Sequence, residues 1–362
     1  MKLLISCGGT GGHFYPGLSI ARHAQAEKHD VTLYLAGHHQ DAQKKQVQKY
    51  QLPAQIAFSG QRPKQRWKLP RYALQMFLDI FKARSYLKKE KFDAILIMGS
   101  FAGVTLGIAA RLCRTKVFIH EGNTVPGKAN RCISRWAKCF FYSFELLPQY
   151  KIHCTSELVG MPIRPELKKT SLTKEELCRE FNFDPSQTTL LIFGGSQGSK
   201  IINETTLEAV KSFNPSLQVI HLTGAAYDIS IYQRAYKEAK IKAVVKNYDE
   251  DMARLLSLAD LAFCRAGAST LAELSFYQCP ALFLPLEIAA DEHQKHNALL
   301  AQRHGAAEVI EEKDFTSESL TEKINFLSGD HETLRAMGSK IKKLHLNTSA
   351  QSIISSIIKY LA

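Results

Sequence analysis

Residues 8–13 read Gly-Gly-Thr-Gly-Gly-His and directly follow the apolar run of residues 2–6. A strand that breaks into clustered glycines before a helix is a common phosphate cradle. Glycine lets the backbone approach the ligand closely, and the helix offers N–H groups that have no partner within it. A second loop of this kind, residues 194–199 (Gly-Gly-Ser-Gln-Gly-Ser), follows the apolar residues 190–193. The two loops predict two phosphate-binding sites, although a single glycine turn can also serve packing alone.

The first loop lacks both of the common nucleotide-binding motifs. A Walker loop ends in Gly-Lys-Ser or Gly-Lys-Thr, whereas Gly12 is followed by His13. The dinucleotide fingerprint GxGxxG fails because its third glycine falls on Phe14. Residues 34–38 (Tyr-Leu-Ala-Gly-His) also provide no carboxylate for a ribose. The loop therefore predicts a phosphate ligand other than ATP or NAD.

His13 falls at or near the start of the helix that follows the first loop. The positive end of the helix dipole disfavours an imidazolium there, which leaves a neutral ring that can accept a proton near pH 7. A single histidine is more often structural, but one that follows a double glycine turn is a candidate general base.

Apolar strands alternate with helical segments along the whole chain, which is typical of parallel sheets with helices on both faces. Two prolines and a glycine in residues 159–165 interrupt this series. We therefore predict an α/β protein with an N-terminal domain (1–162), a C-terminal domain (163–345) and a closing helix in 346–362 that packs back on the N-terminal domain. The predicted strands lie near residues 2–6, 31–35, 94–98, 116–119, 139–142, 189–193, 217–222, 242–245, 260–263 and 281–284.

Composition and charge narrow the class of protein. The 362 residues are 45% hydrophobic, as in a globular protein, and eight scattered cysteines without a CxxC pair favour reduced thiols in a cytosolic protein. The net charge of +13 belongs to the first half of the chain. That half has 24 Lys and Arg against 9 Asp and Glu up to Ile163, and 23 face 25 from Arg164 onward. The N-terminal domain is therefore expected to meet nucleic acid, acidic lipid or a polyanionic substrate.

Residues 62–91 form a basic segment with ten Lys and Arg against only Asp79 and Glu90. One apolar stripe at helical spacing (Leu69, Ala73, Met76, Ile80, Ala83 and Leu87) would dock the helix on its own domain. A second apolar patch framed by basic residues predicts insertion into an anionic membrane surface. The alternative is a solvated basic face over a helix that is buried on both sides. The second patch consists of Leu74, Phe77, Leu78 and Phe81, with Trp67 and Tyr72 beside it.

Further short motifs follow along the chain. They are residues 120–123 (His-Glu-Gly-Asn), 160–164 (Gly-Met-Pro-Ile-Arg), 264–270 (Cys-Arg-Ala-Gly-Ala-Ser-Thr) with Glu273, and 291–294 (Asp-Glu-His-Gln) followed by Asn297 and Ala298. With the two glycine loops, this ordered set resembles the bacterial MurG family over residues 2–345. Members of that family transfer N-acetylglucosamine (GlcNAc) from UDP-GlcNAc to lipid I, the undecaprenyl-linked muramyl-pentapeptide precursor of peptidoglycan.

The resemblance implies a GT-B fold, in which two Rossmann-like domains face a central cleft, and an inverting transfer. It also implies that the first glycine loop holds the acceptor diphosphate and that the second domain binds the nucleotide. His13 would be the base for the muramyl 4-hydroxyl, and neither a metal nor a cofactor is expected. The second N-terminal glycine loop, residues 98–103, departs from the pattern of many relatives, which carry a double glycine and a tyrosine there.

The resemblance also assigns substrate contacts to individual residues. Glu273 is expected to bind the ribose hydroxyls, although Thr270 and Glu273 also have the spacing of a helix capping box. His293 and His296 could be mistaken for a metal pair, but no third ligand is in view. The donor residues are Asn123, Arg164, Ser196, Gln197, Tyr248, Arg265, Glu273, His293 and Gln294. The acceptor residues are Thr10, Gly11, Gly12, His13, Gly99, Ser100 and Glu121.

The expected partners are the two substrates, an anionic membrane surface and other cell-wall synthesis or division proteins. The expected location is the cytoplasmic face of the inner membrane, with peripheral attachment. One alternative is a GT-B glycosyltransferase that acts on a different lipid acceptor. A more remote alternative is a basic nucleic-acid-binding protein, although no binding module is recognisable and no stacking aromatics are interleaved with the basic run.

Overall fold

Two parallel β-sheets, one in each of two structural units, organise the described part of the chain. The computed structural model describes residues 1–9, 11–36, 40–57, 65, 69–99, 101–164, 166–167, 170–195, 197–344 and 349–362. The first unit comprises Met1–Arg164 and Leu346–Ala362, and the second comprises Pro165–His345.

Each unit alternates strands with helices, as the sequence pattern predicts. The strands are β1 (Lys2–Gly8), β2 (Asp30–Ala36), β3 (Ala54–Ile56), β4 (Ala94–Ile97), β5 (Lys116–Glu121), β6 (Cys139–Tyr142), β7 (Thr155–Leu158), β8 (Thr189–Phe193), β9 (Gln218–Leu222), β10 (Lys242–Lys246), β11 (Leu261–Cys264), β12 (Ala281–Phe283) and β13 (Ala307–Val309). The helices of the first unit are α1 (Gly11–Ala26), α2 (Gln40–Lys49), α3 (Leu69–Glu90), α4 (Phe101–Cys113), α5 (Lys128–Ile133) and, at the end of the chain, α14 (Ser349–Leu361). The helices of the second unit are α6 (Lys174–Glu180), α7 (Lys200–Ala209), α8 (Ile229–Glu238), α9 (Met252–Leu258), α10 (Ala268–Tyr277), α11 (His293–Arg303), α12 (Ser317–Ser328) and α13 (His331–Lys342).

The strand order explains why the central strands read as continuous apolar runs. Within the described residues, the first sheet has the order β3-β2-β1-β4-β5-β6-β7 and the second has the order β10-β9-β8-β11-β12-β13. In β1, Leu3 and Ile5 pack into one core and Leu4 into another, so both faces of the strand are covered by helices. The predicted α/β class and all ten predicted strands are confirmed.

The structure adds three strands that the sequence analysis missed, β3, β7 and β13. Each lies at an edge of its sheet and has only three or four residues. Edge strands bury fewer side chains than central ones, and β7 reads Thr-Ser-Glu-Leu with largely exposed side chains. An apolar run cannot identify such a strand.

The last helix, α14, belongs to the first unit and packs against α1. Its side chains Ile353, Ile354 and Ile357 are fully buried in the core that also contains β1 and α1. Lys116 Nζ donates to the carbonyl oxygens of Tyr360 and Leu361 at 2.8 and 3.1 Å, so it satisfies backbone acceptors at the end of the helix. The contact between α14 and α1 therefore supports the helix that follows the first glycine loop.

We predict that Ile354→Ala lowers the free energy of unfolding by about 2–5 kcal/mol, because it leaves a cavity in a closed core. Ile358, one turn further along the same helix, is 41% exposed and provides a matched control. Ile358→Ala is expected to change the free energy by less than about 0.5 kcal/mol. Urea denaturation followed by circular dichroism measures both, and equal losses in the two variants would contradict this packing.

Candidate active site

The first glycine loop and the loop that contains Gly99 leave the sheet side by side. They follow β1 and β4, which are hydrogen-bonded parallel neighbours, so both loops begin at the carboxyl edge of the sheet. Gly8, Gly9 and Gly99 have φ values of +112°, +84° and +120°, which favour glycine. A Cβ at Gly8 would lie 2.4 Å from the carbonyl oxygen of Ala36, so the end of β1 also requires glycine for close packing.

His13 is the third residue of α1 and lies directly against the backbone of Gly99. A Cβ at Gly99 would be 3.0 Å from His13 Cδ2 and 2.8 Å from its Nε2, and the second separation is closer than real Cβ atoms approach. The structure therefore brings together His13 and Gly99 from the predicted acceptor residues, with Gly11 and Gly12 as the first two residues of α1. Thr10 and Ser100 lie outside the described residues.

A second histidine, His120, lies close to this pair and was not predicted as a site residue. It is buried at the end of β5, where its Nε2 is 3.2 Å from the carbonyl oxygen of Gly160 and 3.2 Å from Ser143 Oγ. Burial lowers the pKa of His120 to about 4, a charge on His13 lowers it further, and the bond to Gly160 acts in the opposite direction. His120 is therefore neutral at pH 7, so it can hold the Gly160 carbonyl without adding charge beside His13. Its place next to Glu121 in the His-Glu-Gly-Asn motif was the available sequence signal.

Glu121 and Asn123 are hydrogen-bonded to each other. The sequence analysis assigned Glu121 to the acceptor substrate and Asn123 to the donor substrate. Glu121 is only 3% exposed, and its Oε1 accepts hydrogen bonds from the backbone N–H and the side-chain amide of Asn123 at 3.1 and 3.2 Å. The structure shows this carboxylate engaged with its own chain, and its direct contact with the acceptor stays a prediction.

Arg164, predicted to bind the donor phosphates, is the last residue of the first unit. Its guanidinium lies over the ring of Tyr15, 5.1 Å from the ring centroid, so it stacks on α1 close to His13 in sequence. A guanidinium carries a planar set of N–H donors whose geometry suits phosphate.

The second glycine loop connects β8 to α7 and is held by the turn that follows β9. Gly195 and Gly198 have φ values of +92° and +77°, and a Cβ at Gly198 would lie 2.1 Å from the Thr223 carbonyl oxygen. Gln197 is exposed, and Ser196 lies outside the described residues.

Two buried residues missed by the sequence analysis support this loop. Asn203 Nδ2 donates to the Thr223 carbonyl at 2.8 Å, and Asn203 Oδ1 lies 3.2 Å from His221 Nε2. Burial lowers the pKa of His221 to about 3, so its ring is neutral and can donate Nε2–H to that oxygen. Neither residue belongs to a glycine or charge motif, which is why the sequence analysis overlooked them.

Arg265 connects three segments at the carboxyl edge of the second sheet. Its Nη1 donates to the Leu284 carbonyl at 3.0 Å and to Glu312 Oε1 at 2.5 Å, and its Nη2 donates to Ser199 Oγ at 3.3 Å. The side chain, which lies just after β11, thus ties the end of the glycine loop to residues that follow β12 and β13. A direct contact between Arg265 and the donor stays a prediction.

Glu273 lies in α10, one turn from the start of the helix. The helix begins at Ala268 with Gly267 as its N-cap and without a side-chain cap, so Thr270 is inside the first turn. The capping-box alternative for Thr270 and Glu273 is therefore wrong. Glu273 is 8% exposed, and its assignment to the ribose stays a prediction.

The remaining donor residues follow β10 and β12 at the same edge. His293 is the first residue of α11, and Gln294 Oε1 accepts a hydrogen bond from the Leu286 N–H at 3.1 Å. Tyr248 lies two residues beyond β10 and is 56% exposed. Within the described ranges, no group of three or more His, Cys, Asp or Glu side chains is arranged to hold a metal ion.

The apolar side chains predicted to meet a membrane lie on the exposed face of α3. Leu74, Phe77, Leu78 and Phe81 are 46–61% exposed, and the rings of Phe77 and Phe81 meet edge to face at 4.9 Å. In the part of the chain that the structure describes, no helix combines the length and apolar character needed to cross a bilayer.

The buried face of α3 is shorter than predicted. Ala83 and Leu87 are buried in the core, whereas Ala73, predicted to lie on the same docking stripe, is exposed. Trp67 and the basic residues at positions 62, 64, 66 and 68 lie outside the described residues.

Comparison with known proteins shows which family the chain belongs to. A Coxiella burnetii protein named UDP-N-acetylglucosamine--N-acetylmuramyl-(pentapeptide) pyrophosphoryl-undecaprenol N-acetylglucosamine transferase is 33% identical over 365 residues, covering 100% of this chain and 99% of its own. The chain belongs to the MurG family. A Psychromonas ingrahamii protein with the same name is 31% identical, with coverage of 98% and 97%.

Profiles and a solved structure agree with this assignment. The glycosyltransferase family 28 N-terminal domain matches residues 3–142, and the C-terminal domain of that family matches residues 189–354. The crystal structure of Acinetobacter baumannii MurG is similar with a TM-score of 0.81 and 27% identity, covering 99% of this chain and 100% of the other. The predicted resemblance and the fold of two Rossmann-like domains are confirmed, and the chain is a glycosyltransferase. A different lipid acceptor is not favoured by these relatives.

The contact between Gly99 and His13 predicts that Gly99→Ala will impair glycosyl transfer more than a comparable glycine replacement. The added Cβ displaces the imidazole, and a displacement of about 1 Å at a reacting group costs roughly 100-fold in rate. Gly9→Ala is the matched control, because Gly9 also has a positive φ but a Cβ there meets nothing within 4 Å. Steady-state kinetics and thermal unfolding of both variants separate the clash from backbone strain. Equal losses of activity in the two variants would show that the clash has no effect.

Proposed function

We propose that this protein transfers GlcNAc from UDP-GlcNAc to the 4-hydroxyl of the muramyl-pentapeptide of lipid I, with inversion at the anomeric carbon, and so forms lipid II. The observation that carries the proposal is the position of His13, held on the Gly99 backbone between two glycine loops at the carboxyl edge of a parallel sheet. The full-length similarity to enzymes named for this donor and acceptor supports it.

On the acceptor side, the chemistry needs an anion cradle and a base. The glycine loops and the N-terminus of α1 offer backbone N–H groups and a positive dipole end to the diphosphate of the acceptor. His13 takes the proton of the 4-hydroxyl while the hydroxyl oxygen forms a bond to the anomeric carbon of the GlcNAc. The bond from that carbon to the UDP oxygen breaks in the same step, and UDP leaves with the electron pair.

Around UDP-GlcNAc, the proposed binding residues supply hydrogen-bond donors for the leaving diphosphate and hydrogen-bond acceptors for the sugars. Backbone N–H groups of the second glycine loop, the Ser196 hydroxyl and Arg164 stabilise the charge that develops on UDP. The Glu273 carboxylate accepts from the ribose hydroxyls. The remaining donor residues contact the uracil or orient the diphosphate and the GlcNAc. They are Asn123, Gln197, Tyr248, Arg265, His293 and Gln294.

The test is transfer of labelled GlcNAc from UDP-GlcNAc to a short-chain lipid I analogue in the presence of EDTA. His13→Ala is expected to lower kcat by about 100- to 10,000-fold, the usual contribution of a general base, with UDP-GlcNAc binding unchanged. His23→Ala, at the far end of the same helix, is the matched control and is expected to retain activity.

Other results would change the assignment in defined ways. A tenfold loss in His13→Ala would leave the reaction in place and give His13 a binding role. Failure of the unmodified protein to transfer GlcNAc, while it still binds UDP-GlcNAc, would point to a different acceptor.

The second part of the proposal is that the enzyme works as a peripheral protein on the cytoplasmic face of the inner membrane, attached through α3. Its four exposed apolar side chains cover about two turns of the helix, and the exposed basic residues Arg71, Lys82, Lys88 and Lys89 lie on the same helix. Apolar side chains enter the acyl boundary while basic ones pair with anionic headgroups, which suits an acceptor carried by a lipid.

Replacing Phe77 and Phe81 together by serine is expected to lower the affinity for anionic liposomes by about tenfold or more, because each ring contributes roughly 1.5 kcal/mol or more when it is buried. Phe326→Ser is the matched control, since Phe326 is 66% exposed on α12 of the second unit. Co-sedimentation with liposomes of graded anionic lipid content measures the affinity. Binding that persists in the double variant, or that ignores lipid charge, would contradict attachment through α3.

A further inference from the structure

A single buried carboxylate organises the segment between β5 and α5. Glu121 Oε1 accepts from Asn123 N at 3.1 Å and Asn123 Nδ2 at 3.2 Å, and Oε2 accepts from Gly127 N and Asn130 Nδ2, both at 2.9 Å. An ionised carboxylate has about four acceptor positions and no donor. All four of the positions on Glu121 are therefore occupied by its own chain.

The four donors come from three places in a ten-residue segment. Asn123 lies just after β5, Gly127 is the N-cap residue of α5, and Asn130 lies inside that helix. No side chain of the N-cap residue closes the start of α5, and Glu121 Oε2 accepts the Gly127 N–H there instead. The carboxylate thus fixes the path of the chain from the end of the strand to the helix.

The bond to Asn123 Nδ2 also decides which end of the Asn123 amide faces the carboxylate. A flipped amide would place its carbonyl oxygen against Glu121 Oε1, and two acceptors repel each other. Oε1 accepts from both the backbone N–H and Nδ2 of Asn123, so the Nδ2 end points to the carboxylate and the Oδ1 end points the other way.

We infer that Glu121 is a positioning residue, which orients the Asn123 amide so that Oδ1 accepts a hydrogen bond from a hydroxyl or the acetamido N–H of the donor sugar. This inference rests on the proposed function, in which Asn123 contacts the GlcNAc of UDP-GlcNAc. It replaces the expected direct contact between Glu121 and the acceptor, because a carboxylate that is 3% exposed would have to give up one of its four bonds to make that contact.

The first test compares the affinity of the full-length protein for UDP-GlcNAc with its affinity for UDP, which lacks the sugar, by isothermal titration calorimetry. Glu121→Gln replaces one oxygen by an N–H donor, so one pair of N–H groups loses its acceptor. We expect the affinity for UDP-GlcNAc to fall about tenfold while the affinity for UDP stays the same. Equal losses for both ligands would mean general disruption of the fold and would overturn the inference.

A double-mutant cycle then asks whether Glu121 acts through Asn123. Asn123→Ala is expected to lower kcat/KM for UDP-GlcNAc about as much as Glu121→Gln does, and the double variant is expected to be no worse than Asn123→Ala. Losses that multiply in the double variant, or a rise only in the KM for the lipid I analogue, would instead make Glu121 an independent or acceptor-binding residue. Glu145→Gln, at an exposed glutamate of the same unit, is the matched control.

A third measurement does not depend on catalysis. Hydrogen–deuterium exchange by mass spectrometry of the peptide spanning residues 121–130 is expected to quicken in Glu121→Gln, with other peptides unchanged. If the unmodified protein makes no lipid II, the proposed function fails, and this exchange still decides whether Glu121 holds Asn123. Unchanged exchange would overturn the positioning role.

Discussion

The backbone of Gly99 lies against the imidazole of His13 so closely that no Cβ fits between them. The contact requires that β1 and β4 are parallel neighbours, so that their loops leave the sheet at one edge. It also requires positive φ at the glycines of both loops, because α1 must begin within a few residues of the end of β1. The base of the proposed reaction therefore lies against main chain that directly follows a buried strand, which moves less than a side chain would.

The same arrangement recurs in the second unit with different residues. A Cβ at Gly198 would meet the Thr223 carbonyl oxygen, as a Cβ at Gly99 would meet His13, and Asn203 donates a hydrogen bond to that carbonyl. Arg265 then ties Ser199 to segments that follow two other strands. In both units, a loop suited to phosphate is shaped by glycines, and in the second unit polar side chains that need not touch the ligand also hold it.

The α3 surface follows a different constraint. Leu74, Phe77, Leu78 and Phe81 stabilise the isolated protein little, because about half of each side chain remains in water. The C-terminal half of the helix, with Ala83 and Leu87 in the core, is enough to dock it on the sheet. An exposed apolar patch beside basic residues is therefore better explained by what it binds than by what it stabilises.

Central strands and glycine loops could be read from the sequence alone, because a strand buried on both faces must be apolar throughout and a loop with positive φ needs glycine. His13 could be identified as a candidate base for the same local reason, since it follows the glycines at the start of a helix. The edge strands β3, β7 and β13 could not, because their side chains remain partly in water and carry no apolar pattern. The tertiary structure alone decided that Thr270 lies inside α10, that His120 binds Gly160 forty residues away, and that all four acceptor positions of Glu121 are occupied. These features depend on how the folded backbone places each polar group, so no local sequence pattern predicts them.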